Sequence, residues 1–217
     1  MLMIKWSFSS LKDFCNCPKQ YQEIKILKNF TKRATQQMLY GTEVHKALED
    51  YVTGIPLAKN YERFKNVMDA LLEIPGTRYP EYKMAITEDK KYCDFDSKDY
   101  WARGIADLIV VDESLAYVID YKTGSNRYPD ADQLKLMALF IFVHFPEVNT
   151  VKGGLLFVMH NSFLTVDFKR EYINNYWKSF EAKLARLTAA ADNEIWSPNP
   201  TPLCGWCPVK TCEFHKG

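Results

Sequence analysis

Two β-forming runs, GIADLIVV and LAYVIDYKTG, carry three charged residues that a plain strand pair would not need: Asp107, Asp120 and Lys122. A turn centred on Glu113-Ser114 pairs residues whose numbers sum to 227, which sets Asp107 opposite Asp120. Directly opposed residues of an antiparallel pair hold their Cβ atoms about 4.5–5.5 Å apart. Side chains alternate faces, so Lys122 shares a face with Asp120. Two carboxylates that close repel each other, so one takes a proton or a cation sits between them. Oxygen ligands favour hard divalent ions such as Mg²⁺ or Mn²⁺. Such an ion lowers the pKa of a bound water and neutralises charge on a phosphodiester being cleaved. Lys122 adds positive charge for a phosphate or an attacking water. A strand-edge aspartate beside a surface Asp–Lys pair accounts for the same three residues equally well, and a one-residue slip would separate the two acids.

A second chemical signal is the tail CGWCPVKTC, with the spacing Cys204-x2-Cys207-x4-Cys212. Three thiols so close, bent by Pro208, read as metal ligands with one place left to fill. His215 fills it from within the tail, giving a Cys3His zinc site. Cys17, in CPKQY near the N-terminus, fills it from the far end of the chain, with Cys15 as a competitor and Pro18 favouring Cys17. Four thiolates suit zinc or an iron–sulfur cluster. Cys93 has no role on this reading.

The elements that must position these groups follow from periodicity and breakers. Ser9 or Ser10 caps a short helix ending near Cys17-Pro18, and a second runs from Tyr21 to Leu27. GTEVHKALEDYVTG is a clear helix with Val44, Leu48, Tyr51 and Val52 on one face and Gly54 and Pro56 as stops. Asn60 opens another, closed by Pro75-Gly76. Strands follow at 81–87, 100–111 and 116–122. PDADQLKLMALFIFVHF is apolar nearly all round from Leu134, so it reads as a buried helix with Asp130 and Gln133 as a capping pair. Two strands joined at Asn161-Ser162, a helix from about Arg170 to Ala191 and the cysteine tail complete the chain. The order predicts an α/β class with a mixed sheet flanked by helices.

Composition sets outer bounds. The 217 residues suit a single domain, and 47% hydrophobic with 14% aromatic residues supply a large core. A net charge of +1 gives no global signal for nucleic acid. Residues 1–40 nevertheless carry seven cations against two carboxylates, which suits a solvated helix face as well as a phosphate-binding one. No stretch reaches the ~18–20 apolar residues of a membrane span, and the first residues do not read as a signal peptide. The expectation is a cytoplasmic protein with reduced thiols and no membrane contact.

The pattern GIAD, a hairpin, then DYKTG resembles the core of the PD-(D/E)XK nuclease superfamily, and most closely its RecB-like and CRISPR-associated exonuclease branch. The resemblance implies a restriction-endonuclease-like α/β fold in which Asp107 and Asp120 bind metal and Lys122 positions the attacking water. Ala106 stands where the Pro of the motif's name would be. GTEVHKALE resembles the branch's helical motif, which places His45 among the metal ligands; alone, a histidine beside an apolar stripe is more often structural. PEYKMAI places Glu81 as a further candidate. DQLKLMALF resembles the Gln-rooted helix, so Gln133 flanks the site, with Met137 where that motif has Tyr. Cys17 with Cys204, Cys207 and Cys212 resembles the [4Fe–4S] ligand set of the same branch, a structural zinc being the alternative.

The resemblance spans about residues 7 to 214. It implies one nuclease domain: a helical lobe (1–78), an α/β core with the last helix (79–192), and a cysteine tail (193–217) docked on the N-terminal lobe. The implied activity is metal-dependent DNA cleavage, as an exonuclease at DNA ends. The rival readings are a structure-specific endonuclease and a non-catalytic, metal-stapled DNA-binding subunit. Basic residues of the N-terminus, with Lys122 and Arg127, would guide the strand. Partners in recombination, repair or a helicase are implied, since phage recombination, repair and CRISPR adaptation all use such folds. No phosphate loop of the G-x4-G-K-[S/T] type is present to drive a built-in motor.

Overall fold

The computed structural model describes residues 4–127 and 130–215. The chain divides into two compact units. One is Thr35–Tyr176; the other joins the described residues up to Ala34 with those from Trp177 onward. This division differs from the expected 1–78, 79–192 and 193–217 segments. Val44, Leu48, Phe64, Met68 and Leu71 bury their side chains with Leu108, Val110, Ile119 and Tyr121 of the strands. Two helices read as part of an N-terminal lobe therefore share the core of the sheet.

The Thr35–Tyr176 unit holds six strands: β1 (Thr77–Ile86), β2 (Tyr92–Cys93), β3 (Ala102–Asp112), β4 (Leu115–Lys122), β5 (Thr150–Phe157) and β6 (Ser162–Lys169). Their order is β2-β1-β3-β4-β5-β6, antiparallel throughout except for the parallel β4–β5 pair. The sheet is thus mixed, as expected for a restriction-endonuclease-like fold. A parallel pair needs a crossover, and the helix Asp132–His144 supplies it. Eight of its residues from Leu134 to Phe142 are buried, which explains its lack of a polar face. Its C-terminal end is closed by Arg170, whose guanidinium donates to the carbonyls of Phe142 (2.9 Å), Phe145 (3.0 Å) and Val148 (2.8 Å).

The hairpin has the register that the sequence arithmetic requires. Val111 faces Ala116 and Leu108 faces Ile119, with Glu113 in a left-handed turn conformation (φ 51°). β1 starts at Thr77, four residues before the expected strand, because Gly76 at φ 123° turns the chain into the sheet beside Val111. The helix Gln36–Val52 starts five residues before Gly41, since the Thr35 side chain accepts from the Met38 amide at 3.2 Å and caps it. The helix expected from Asn60 is a 3-10 turn (Lys59–Phe64) leading into a short α-helix (Lys65–Leu72). β2 was not foreseen; two residues are too short for a periodic signal.

In the other unit the first helix, Phe8–Asn16, is capped by Ser7 rather than Ser9 or Ser10. Ser7 and Ser10 bond reciprocally, which places Leu11 and Phe14 inward. Pro18–Tyr21 and a π-helical turn, Gln22–Ile26, follow. Trp196 stacks on Tyr21 and meets the edge of Phe14. The last helix, Ile173–Asp192, contributes buried Phe180 and Leu187 to this unit. No helix among the described residues is long and apolar enough to cross a membrane.

Candidate active site

Three neighbouring strands each bring one acid to the same level of the sheet. The β3–β4 ladder ends at Leu108↔Ile119, and the next step of its register sets Asp107 against Asp120. Asp107 there takes the place of a backbone partner: its Oδ2 accepts the Tyr121 amide at 2.6 Å. On the other side, Pro80 pairs with Leu108 and Tyr82 with Ala106, which leaves Glu81 across from Asp107 and outside the ladder. Glu81 has a left-handed backbone (φ 46°), an uncommon conformation for a non-glycine residue. In the register of the flanking pairs Glu81 neighbours Asp107 and Asp107 neighbours Asp120 on adjacent strands, although neither position is itself a ladder pair.

Asp120 is 7% exposed, with a hydrogen bond at Oδ1 and only an ion-pair contact at Oδ2. Gln133 Nε2 donates to its Oδ1 at 2.5 Å, and Lys122 Nζ contacts its Oδ2 at 2.5 Å. Lys122 Nζ also donates to Gln133 Oε1 at 2.9 Å, closing a three-residue ring. Gln133 is thus not half of a helix cap. Asp130 Oδ1 accepts the Asp132 amide at 3.2 Å, while the buried carboxylate across the crossover claims the Gln133 amide. His45 stands with Nδ1 3.4 Å from Asp107 Oδ2 and its ring edge-on to Tyr121.

These contacts have electrostatic consequences. Burial, and then the charge of Asp107, push the Asp120 carboxyl up to about 6, against the opposing pull of Lys122 and His45. Burial lowers His45, but the hydrogen bond and charge of Asp107 outweigh it and hold the imidazolium above its ordinary range. Glu81 is raised by burial, then by Asp107 and Glu49. Glu49, one turn beyond His45, and Lys46 also act on Glu81 electrostatically and were missed in the sequence. The i, i+4 relation of Glu49 to His45 is the signal that would have found the acid.

Among the described residues no three His, Cys, Asp or Glu side chains are gathered closely enough to hold a metal ion as they stand. The chemistry of the set still fits one. Two facing carboxylates, one of them buried and raised, with an imidazole alongside, are donors for a divalent cation whose charge would offset their repulsion. Met137, at the place of the expected Tyr, is buried against Gly104, where an added Cβ would come 2.5 Å from its Cε.

The cysteines form a separate constellation within the other unit. Cys17, Cys204, Cys207 and Cys212 line one pocket, together with His215; Cys15 is not among its lining residues. All four are free thiols. Their sulfurs accept N–H groups: Gln20 Nε2 to Cys207 (3.2 Å), the Thr201 amide to Cys204 (3.3 Å), and the Gln20 and Asn199 amides to Cys17 (both 3.5 Å). N–H groups directed at sulfur are the outer contacts that orient cysteines at metal sites.

Similarity to known proteins runs the length of the chain. Among solved structures, an exonuclease candidate from Eubacterium rectale aligns with 97% of this chain and 86% of its own, at 12% identity and a TM-score of 0.53. The protein SSO0001 aligns with 98% of this chain and 88% of its own, at 14% identity and a TM-score of 0.52. At such identities the likeness is one of fold. No curated protein matches. The sequence model of the PD-(D/E)XK nuclease superfamily matches residues 5–103 and 84–212. With nearly the whole chain matched, the protein belongs to the PD-(D/E)XK nuclease superfamily.

Proposed function

We propose that the protein is a divalent-metal-dependent DNA exonuclease. The observation that carries this reading is the closed ring of Asp120, Lys122 and Gln133 beside Asp107. Asp107, Asp120 and His45 would hold Mg²⁺ or Mn²⁺, with Glu81 as a further ligand. When bound, such an ion supplies an acidified water and charge neutralisation at the phosphate. The protein's own groups do the rest. Lys122 donates to Gln133 and lies against Asp120 Oδ2 as an ion pair, and its side chain is 34% exposed. Its remaining N–H groups would hold an attacking water or a phosphate oxygen. Gln133 fixes the orientation of the Lys122–Asp120 ion pair, by donating to the carboxylate and accepting from the ammonium. Asp107 is fixed through Oδ2 by the Tyr121 amide, with His45 Nδ1 beside the same oxygen.

The choice of exonuclease takes up what the Eubacterium rectale protein is named for. In the other unit, Cys17, Cys204, Cys207 and Cys212 are proposed to bind a [4Fe–4S] cluster, with zinc held by the three tail cysteines and His215 as the alternative. The four cysteines line one pocket, and N–H groups are directed at the sulfurs of Cys17, Cys204 and Cys207, which supports a metal-binding site there.

The test is digestion of end-labelled linear DNA and of covalently closed circles with Mg²⁺ or Mn²⁺, alongside Asp120→Ala and Lys122→Ala. Cleavage of the linear form that both substitutions abolish supports the proposal. Equal cleavage of circles would make the protein an endonuclease, and no cleavage with either metal would leave a DNA-binding subunit. Anaerobic purification tests the thiol site. A brown protein with about four irons supports the cluster, and a colourless one with zinc points to His215.

A further inference from the structure

Next to the row of acids lies a cluster that the nuclease reading leaves unused. Tyr40, Arg63 and Met159 come from three different elements: the helix Gln36–Val52, the 3-10 turn Lys59–Phe64, and the turn between β5 and β6. Arg63 Nη2 donates to Tyr40 Oη at 2.5 Å and approaches Met159 Sδ at 3.5 Å, while its guanidinium carbon lies 4.8 Å from the centroid of the Phe64 ring. The Tyr40 hydroxyl reaches Met159 Sδ at 3.7 Å. Arg63 is exposed, and among the described residues no carboxylate pairs with it. Its partners are a phenol, a thioether and a ring face, so its charge is oriented without being neutralised. Tyr40 packs partly against the core, which fixes its ring before any ligand arrives.

The cluster adjoins the end of β4 that carries Lys122. Gly41, next to Tyr40, lies one turn before His45 on the same helix face, and a Cβ there would come 3.1 Å from Thr123 Oγ1. Val158, next to Met159, donates its amide to the Lys122 carbonyl at 3.1 Å. Tyr40 and Met159 are thus within one or two residues of groups touching the Lys122–Thr123 backbone.

A fixed guanidinium beside an ordered phenol and an exposed thioether is the equipment for one nucleotide: the cation takes the phosphate, the ring and the sulfur take a base face. Inside a duplex both faces of a base are covered by its neighbours, and a terminal pair keeps its bases tied edge to edge, so the base that can turn onto the ring and the sulfur is an unpaired one. The geometry points to Tyr40, Arg63 and Met159 as a shelf that seats an unpaired nucleotide beside the scissile one, which makes a single-stranded DNA end the preferred substrate. This rests on the nuclease reading for its location and adds the substrate class and its positioning residues.

The test is equilibrium binding in EDTA, where no cleavage intervenes, using the full-length protein. Fluorescence anisotropy would follow a labelled single strand of about 12 nucleotides and a blunt duplex of the same sequence. Tyr40→Ala is expected to weaken single-strand binding about tenfold, the order of one lost stacking contact, while changing duplex binding less than about twofold. Arg63→Gln is expected to reduce the slope of log affinity against log salt by about 0.7, the value of one phosphate contact on a single strand. Tyr40→Phe, which keeps the ring and removes the hydroxyl, should retain most of the affinity. Equal losses on both substrates, no loss on the single strand, an unchanged salt slope in Arg63→Gln, or a wild-type protein that binds no single strand would each overturn the shelf. Single-strand binding with these mutant effects but no cleavage under Mg²⁺ or Mn²⁺ would sustain the shelf and remove the nuclease reading.

Discussion

Replacing Asp120 by asparagine is expected to make the metal-free protein more stable at neutral pH, although the residue is central to the proposed chemistry. The folded chain holds this carboxyl at about 6, against an ordinary 3.8. The folded state therefore keeps its proton more firmly than the unfolded state, and stability falls as pH rises through that window. At ~1.4 kcal/mol per pKa unit, the ionised group costs the fold about 3 kcal/mol above pH 6 and nothing below pH 4. Asparagine carries no charge, and its side-chain oxygen can still accept from Gln133. It loses the contact with Lys122, whose side chain is 34% exposed and can turn to water. Allowing about 1 kcal/mol for that loss, the net gain is about 2 kcal/mol. For a chain of this length that raises the melting midpoint by about 4–8 °C. The assay is thermal unfolding of both proteins in EDTA at pH 8 and again near pH 4. A variant that melts at or below the wild type at pH 8, or gains as much at pH 4, would refute the reasoning. It would mean that the contacts of Asp120 with Gln133 and Lys122 outweigh the cost of burying its charge.

Other outcomes follow from the same geometry. Gln133→Leu removes the link between Asp120 and Lys122 and is expected to lower kcat for DNA cleavage about 10–100-fold, with little change in KM, as steady-state kinetics would show. His45 must lose its proton to bind metal, and Asp107 holds that proton to higher pH. Activity should therefore climb with pH through the neutral range, and His45→Gln should lower activity and remove that limb of the pH profile. Gly76→Ala places a Cβ 2.4 Å from the Val111 carbonyl oxygen at φ 123°, so urea unfolding should show a loss of about 2 kcal/mol or more. Leu48→Ala empties a fully buried site in the core beneath the strands and should cost about 2–5 kcal/mol in the same assay.

What could be read from the sequence, and what could not, divides along the range of the forces involved. The hairpin register was legible because Glu113 and Ser114 form a two-residue turn, and a fixed turn fixes every pair behind it. The buried crossover helix was legible because only Lys135 interrupts the apolar run from Leu134 to Phe142. The role of Gln133 as a bridge was not derivable from its neighbours, which make it look like a capping residue. Its orientation is set by a carboxylate thirteen positions earlier that has lost its water. The inverted backbone at Glu81 was hidden for a similar reason: alternation predicts a regular strand, and only contact with β3 shows the missing pair. The packing of the Gln36–Val52 helix on the strands was not legible, because the stripe of Val44 and Leu48 says that a helix is buried without saying against what.

Arg170 gives the crossover helix a property that its composition conceals. A helix of 13 residues is about 20 Å long, and its two ends answer to different masters: Gln133 at one, and at the other a single guanidinium clasping three carbonyls. Lysine, with one compact ammonium, cannot reproduce that fork. Arg170→Lys would leave the charge intact and unfasten the far end of the helix. A replacement that looks conservative, distant from every acid of the site, would then blur the aim of the amide that Gln133 presents to Asp120.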